Sequence, residues 1–335
     1  MLASTALNDS LFLLIGLAAL VKGGDFFVAA ATRIAEFLRM PRVVIGSTIV
    51  SLATTMPEMV VSVLAGARGN SDLAVGNAIG SCVCNIGLIL GITATIKRVD
   101  VHPRALRTAL LTMIGLGITL YLMTLDLSLE RWQGAALVVI GGAYFAYDLI
   151  RASRRHSPEA LAEARDIERA ATKGLAWFQT RAGTVAQFTL AAILVVFSSR
   201  IVVDSAVNLA TALRIPSLVV GLTILAVGTS LPELITALGS VRREVSDLSV
   251  GNIIGANIAN LSVVIGIAAA LTPVRVTRTT QLFDFPAMLA LMGLLVWTLW
   301  TQHRLTRREG VILVVSYAAY ICAVIIITVR ASGGN

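Results

Sequence analysis

Long apolar runs separated by short polar connections set the pattern of this chain. Ten runs are long enough to cross a bilayer: residues 10–37, 43–66, 72–96, 105–125, 132–150, 180–208, 216–240, 247–272, 281–300 and 309–329. About 20 mostly apolar residues span the hydrocarbon core. Backbone groups there must pair internally, so each run is expected to be a helix. Polar positions inside two of the runs repeat. Residues 51–58 read SLATTMPE and residues 226–233 read AVGTSLPE, each placing a proline, hydroxyls and a glutamate within a span.

The repetition extends beyond these eight positions. Offset by 175 residues, 41–92 aligns with 216–267 without a gap, with 20 identities in 52 positions. Shared hydrophobicity alone would not match Pro, Glu, Asp, Gly and Asn so regularly, so the chain carries an internal duplication. Each half holds five spans, and an odd number makes the second half enter the membrane from the opposite side. The expected architecture is an all-α polytopic membrane protein of ten transmembrane helices, two inverted five-helix repeats with broken helices at the midplane. Secondary transporters are built this way, with the site where the halves meet. The first repeat covers 1–150, a charged linker 151–175, and the second repeat 176–335.

Composition agrees. The chain has 335 residues, 56% hydrophobic and 14% charged, where soluble domains carry about 25% charged residues. Its mean hydropathy is +0.84. A net charge of +8 raises the question of nucleic acid, but the basic residues sort by loop. One alternating set holds Arg39 and Arg42, the cluster Lys97 to Arg107, the linker arginines, Arg242 and Arg243, and Arg304 to Arg308. The other set holds Arg68, Arg131, Arg214, Arg275 and Arg278, with Arg330 after the last span. Lys and Arg collect in cytoplasmic loops. The linker is therefore expected inside and both termini outside, with the lipid bilayer and not nucleic acid as the partner. No obligate protein partner is evident. The opening MLASTALNDS lacks the basic stretch of a cleavable signal, so the first span reads as a retained helix.

Cys82 and Cys84 are too close in one helix to bridge, and Cys322 is distant. With no Cys/His cluster nearby, they read as small packing residues. His102, His156 and His303 fall in loops. Helical spacing lets Lys22 meet Asp25 and Arg200 meet Asp204.

The repeated motif carries the chemistry. A carboxylate inside a span is costly and usually faces a cavity or pathway. Glu58 and Glu233, brought together by pseudo-symmetry, would repel unless a proton or a cation sits between them. Two carboxylates among neutral oxygens suit a hard cation, Ca2+ or Na+ rather than zinc. Pro57 and Pro232 cannot donate to the preceding turn, which frees carbonyls around Ser51–Thr54 and Ala226–Thr229. Thr54, Thr55, Thr229 and Ser230 add hydroxyls. A second element, GNAIGSCVCN (76–85) against GNIIGANIAN (251–260), puts Asn85 and Asn260 each 27 residues after its glutamate. Glycines 76, 80, 251 and 255 permit close helix approach. Ser81 supplies a hydroxyl where the second half has Ala256.

The paired TMPE and TSLPE elements, each followed by GNxxGxxxxN, resemble the two α-repeats of the cation/calcium exchanger superfamily, in its prokaryotic sodium/calcium exchanger type. The likeness covers the ten-helix layout and is strongest in 41–92 and 216–267. It implies that Glu58 and Glu233 bind Ca2+ and help bind Na+, with main-chain carbonyls near Thr54 and Thr229. Thr55, Ser230 and Ser81, with carbonyls near Ser51 and Ala226, would belong to Na+ sites, and Asn85 and Asn260 to the central site. It further implies alternating access, the first helix of each half sliding across the other eight, in a bacterial or archaeal inner membrane. Some members carry Asp at the Asn260 position, and potassium-dependent members resemble that pattern, so Asn260 argues against potassium dependence. Ala256 leaves the number of Na+ ions open.

The expectation is a secondary antiporter of Ca2+ and Na+, both as substrates, with no cofactor. A proton/calcium exchanger of the same superfamily is the alternative, and a cation channel is a distant one. An intramembrane enzyme would need a nucleophile–base set or a catalytic metal site, and Gly23-Gly24-Asp25 lacks a plausible catalytic counterpart.

Overall fold

The computed structural model describes residues 2–38, 40–100, 103–154, 180–212, 226–302 and 304–333. The start of the expected span at 216–240, most of the 151–175 linker and all three histidines lie outside the described residues. In the first half, α1 (Leu2–Leu38) precedes the first motif. The motif is built as α2 (Arg42–Ile45), a π-helical turn at Gly46–Val50, α3 (Ser51–Thr54) and α4 (Met56–Ala67). Helix α5 (Ser71–Cys84) runs through a π turn at Asn85–Leu90 into α6 (Gly91–Ile96). Strand β1 (Val99–Asp100), α7 (Pro103–Met123), β2 (Ser128–Leu129) and α8 (Arg131–Arg154) complete this half. Helix α8 thus carries four residues into the stretch read as linker.

The second half begins with α9 (Arg181–Ala212), and its motif appears as α10 (Ala226–Gly228) and α11 (Leu231–Arg242). Helix α12 (Ser246–Ala259), a π turn at Asn260–Val264 and α13 (Ile265–Leu271) follow. Strand β3 (Val274–Arg275), a π turn at Thr280–Asp284, α14 (Phe285–Gln302), β4 (Arg304–Leu305) and α15 (Arg307–Gly333) end the chain. Among the described residues eight helical segments are long and apolar enough to cross a membrane, or nine with the bent α2–α4 segment as one span.

The sequence duplication returns as backbone geometry. The starts of α4 and α11, of α5 and α12, and of the π turns at Asn85 and Asn260 are each separated by the sequence offset of 175 residues. Even the turn before α5 has its counterpart. Gly69 takes a left-handed conformation there (φ 75°), and so does Glu244 (φ 60°) at the matching position before α12. A side chain is strained in that region, and the Glu244 carboxylate lies 3.0 Å from the Lys97 ammonium. Asn70 caps α5 by accepting from the Leu73 N–H at 3.1 Å.

Burial places the motif helices at the centre. The span over α12 and α13 is 83% buried and that over α5 and α6 is 72% buried, against 17–39% for the other single-helix spans. Close backbone approach holds the middle together. A Cβ on Gly251 would lie 2.1 Å from the Val43 carbonyl oxygen, and one on Gly255 would lie 2.3 Å from that of Ser47. The segment that the duplication would bring to Gly76 and Gly80 lies outside the described residues. Two further glycine crossings join the halves, Gly91 with Gly310 and Gly266 with Gly134.

Two strand pairs, which the apolar pattern did not announce, also join the halves. Strand β1 pairs antiparallel with β4, and β2 with β3. Strands β1 and β2 flank opposite ends of α7, so the two pairs sit at opposite ends of the bundle. The expected Lys22–Asp25 contact does not form. Gly24 packs on Ile235 of α11, which turns this face of α1 toward α11, and Asp25 lies 3.9 Å from Arg242. Arg200 and Asp204 likewise make no ion pair with each other.

Candidate ion-binding site

Each motif breaks its helix at the residue before the restart. Helix α3 stops at Thr54, Thr55 leaves helical geometry (φ −77°, ψ 0°), and α4 restarts at Met56 with Pro57 in its first turn. The chain bends by 47° here. Ser230 (φ −90°, ψ 12°) does the same before α11, with Pro232 in the first turn. The prolines have no N–H to give, so the carbonyl one turn earlier loses its helical donor. The glutamates fall in the first turns of the restarted helices, where a negative group faces the positive helix end.

Both carboxylates are buried, each 1% exposed. Each takes a hydroxyl from the other half. Ser230 donates to Glu58 Oε1 at 3.0 Å, and Thr55 reaches Glu233 Oε1 at 3.4 Å. Ser81 adds a longer contact to Glu58 Oε1 at 3.5 Å and lies 3.3 Å from the Ser230 hydroxyl. Ala256 at the matching position gives Glu233 no such neighbour. The second oxygens, Glu58 Oε2 and Glu233 Oε2, make no hydrogen bond. Asn85 and Asn260 are buried between the motif helices, and their Oδ1 atoms are also without a donor. Buried polar atoms are nearly always satisfied, so the unpaired oxygens on these four residues, with the unpaired Asn260 Nδ2, single them out as the candidate site.

The remaining predicted residues sit around this core in different ways. Ser51 and Thr54 are buried, but the Ser51 hydroxyl turns back to the Thr48 carbonyl at 3.0 Å. The Thr54 hydroxyl lies 3.2 Å from Asn252 Oδ1 and Thr229 lies 3.4 Å from Asn77 Oδ1. Ala226 opens α10 on the approach to the second break.

Three asparagines belong to this neighbourhood that the residue-type reading passed over. Asn77 donates to the Glu58 carbonyl at 3.2 Å and to Ser62 at 2.9 Å, bracing the break from the side of α5. Asn252 is its counterpart in α12. Asn257 accepts from Asn85 Nδ2 at 3.0 Å. The signal for the first two was in view, since each is the Asn of a repeated Gly-Asn pair. Among the described residues no three His, Cys, Asp or Glu side chains gather as a metal cluster. The charged part of the site is therefore one carboxylate pair.

Known proteins resemble this chain along most of its length. The family profile described as sodium/calcium exchanger protein matches residues 10–149 and again 183–326. The inner membrane protein YrbG of Escherichia coli is 36% identical over 302 residues, covering 89% of this chain and 90% of that protein. The sodium/calcium exchanger MaX1 of Methanosarcina acetivorans is 27% identical over 338 residues, covering 93% and 97%. A solved structure of the sodium-calcium exchanger NCX_Mj, soaked with Na+ and Ca2+, matches with a TM-score of 0.79 at 26% identity, covering 94% of this chain and 97% of that one. The chain belongs to the sodium/calcium exchanger protein family and is a multi-pass membrane transporter, not an enzyme.

Proposed function

We propose that this chain exchanges Ca2+ for Na+ across the membrane by alternating access, with Glu58 and Glu233 as the shared cation ligands. The observation that carries the reading is the set of unpaired buried oxygens on Glu58, Glu233, Asn85 and Asn260. Carboxylate and amide oxygens together favour a hard cation. The likeness to MaX1 and NCX_Mj, both sodium/calcium exchangers, points to the same ions.

The charges supply the coupling. Without a cation the two carboxylates repel in a low-dielectric interior, so the loaded protein crosses between states more readily than the empty one. One Ca2+ or several Na+ can neutralise the pair, but not both sets at once. Ser230 and Ser81 hold one oxygen of Glu58, Thr55 holds one of Glu233, and the other oxygens remain for the ion. Carbonyls near Ser51, Thr54, Ala226 and Thr229 are assigned as additional oxygens. The scheme uses no cofactor; its partners are inorganic cations and the bilayer.

The test is Ca2+ uptake into proteoliposomes driven in turn by Na+, H+ and K+ gradients. Uptake is expected with the Na+ gradient and not with the other two. Uptake driven by H+ instead would assign the free glutamate oxygens to a proton and make the chain a proton/calcium exchanger.

We also propose ten spans in two inverted repeats, 1–150 and 176–335, with the 151–175 linker cytoplasmic and both termini external. Two observations support this arrangement, the first the repeat and the second its inversion. The family profile matches once in each half. Strand β3, the counterpart of β1, pairs with β2 at the far end of α7 from β1. Cysteines introduced singly at Arg154 and Arg330, in a background lacking Cys82, Cys84 and Cys322, are expected to label from opposite sides, Arg154 from the cytoplasm. Labelling of both from one side would overturn the orientation.

Asn260 gives a third prediction. Two carboxylates and not three face the ions, so transport is expected to need no K+. Asn260→Asp adds a charge that must take up a proton or another monovalent cation. Na+-driven Ca2+ transport is expected to weaken at neutral pH and to become dependent on pH or K+. A wild-type protein that needs K+, or a mutant unchanged in both respects, would remove Asn260 from the site.

A further inference from the structure

The two asparagines of the site are held differently. Asn85 Nδ2 donates to Asn257 Oδ1 at 3.0 Å, which leaves Asn85 Oδ1 as the free end of the amide. Asn257 is itself fixed from behind, its Nδ2 lying 3.5 Å from the Cys82 carbonyl and 3.8 Å from Met113 Sδ. The duplication pairs Asn85 with Asn260 and Asn257 with Cys82. At the place where an amide oxygen would accept from Asn260, the chain therefore carries a thiol. Cys82 Sγ donates to the Asn257 carbonyl at 3.9 Å, and the Asn260 side chain lies beside the thiol as a weak neighbour only. Asn260, 1% exposed, has neither amide atom hydrogen-bonded. A thiol is a weak donor and a weak acceptor, so it cannot replace that clamp.

From this asymmetry we infer that Asn257 is the positioning residue of the Asn85 oxygen, and that Cys82 leaves Asn260 unclamped, making one amide of the site a fixed oxygen donor and the other an adjustable one. The inference rests on the ion-site reading above. Its consequence is that the two halves are not equivalent toward the ion. Asn85 presents its oxygen to whichever cation enters. Asn260 can turn about its last torsion and present oxygen to a cation, or nitrogen to a carboxylate when the cation has left. The two cysteine positions that looked like simple packing residues thereby separate: Cys82 sets the freedom of a ligand, and Cys84, also buried, stays with packing.

The experiment is a Ca2+ titration of initial uptake rate on the full chain in proteoliposomes, for wild type, Asn85→Ala, Asn257→Ala, the double variant and Cys82→Asn. Asn257→Ala is expected to raise the half-saturating Ca2+ concentration about fivefold, the worth of one hydrogen bond, with the maximal rate per folded protein little changed. In the Asn85→Ala background the same change is expected to add nothing, since Asn257 acts through Asn85. Cys82→Asn, which supplies the missing acceptor, is expected to lower the half-saturating concentration. A loss of maximal rate at constant half-saturation in Asn257→Ala, or additive effects in the double variant, would show a purely structural role and overturn the inference. If Asn85→Ala itself leaves Ca2+ half-saturation unchanged, the ion-site reading fails at Asn85 instead. Should Cys82→Asn not fold, the double-variant comparison still decides.

Discussion

Glu58→Gln and Glu233→Gln are each expected to abolish Ca2+ transport while the protein still inserts and folds. Glutamine keeps the size of the side chain and an oxygen for Ser230 or Thr55 to donate to. What it loses is the charge. A divalent ion facing one carboxylate in a buried site is under-neutralised, a penalty of about 3–5 kcal/mol for a broken buried ion pair, or roughly a hundredfold to several thousandfold in affinity. Folding is spared because two like charges in the interior were a cost in the unloaded protein. Flux per inserted protein and thermal unfolding, measured side by side, check this. Near-normal exchange in either variant would show that its glutamate is not a shared ligand.

A smaller loss by another route is expected from Gly251→Ala and Gly255→Ala. The added methyl on Gly251 would sit 2.1 Å from the Val43 carbonyl oxygen, and that on Gly255 would meet the Ser47 carbonyl at 2.3 Å and the Ser51 hydroxyl at 2.5 Å. These are mostly backbone atoms, which cannot swing aside, so α12 and the segment from α2 to α3 must separate. Overpacking of this kind costs about 1–3 kcal/mol, occasionally more. The separation would also draw Ser51 and Thr54 away from the second half, whose Asn252 lies 3.2 Å from the Thr54 hydroxyl. Both a lowered unfolding temperature and a flux reduced about tenfold or more are expected, taking the loss as felt in site geometry. Gly142→Ala is the control, since this glycine is exposed and a Cβ there meets nothing within 4 Å. Unfolding temperatures equal to the control would show that the crossing is not tight.

The features legible in the sequence are those present twice. The Pro-Glu pairs stood out because a carboxylate within an apolar run is costly, and the duplication set their register against Asn85 and Asn260. The apolar runs likewise located the helices, because lipid leaves the backbone few alternatives. What stayed hidden has specific causes. The two-residue strands carry too few positions for any periodicity to show. Asn77 and Asn252 were visible as letters, but an asparagine beside a glycine reads as helix packing until the breaks at Thr55 and Ser230 are seen to turn toward it. The pairing of Asp25 with Arg242 depends on which face of α1 meets α11, and local spacing favoured Lys22 instead. The buried Asp148, which accepts from Ser47 at 3.2 Å and from Tyr144 at 3.4 Å, has no counterpart in the second half, so the duplication could not point to it.

The central claim is that Ca2+ and Na+ occupy the same pair of carboxylates in turn. Equilibrium Ca2+ binding to the purified chain, titrated with Na+ at constant ionic strength, tests it most directly. Na+ is expected to displace Ca2+ completely and competitively, with K+ inert, and Glu58→Gln is expected to remove the Ca2+ signal. Ca2+ that stays bound at saturating Na+, or that binds Glu58→Gln as tightly as wild type, would contradict the account.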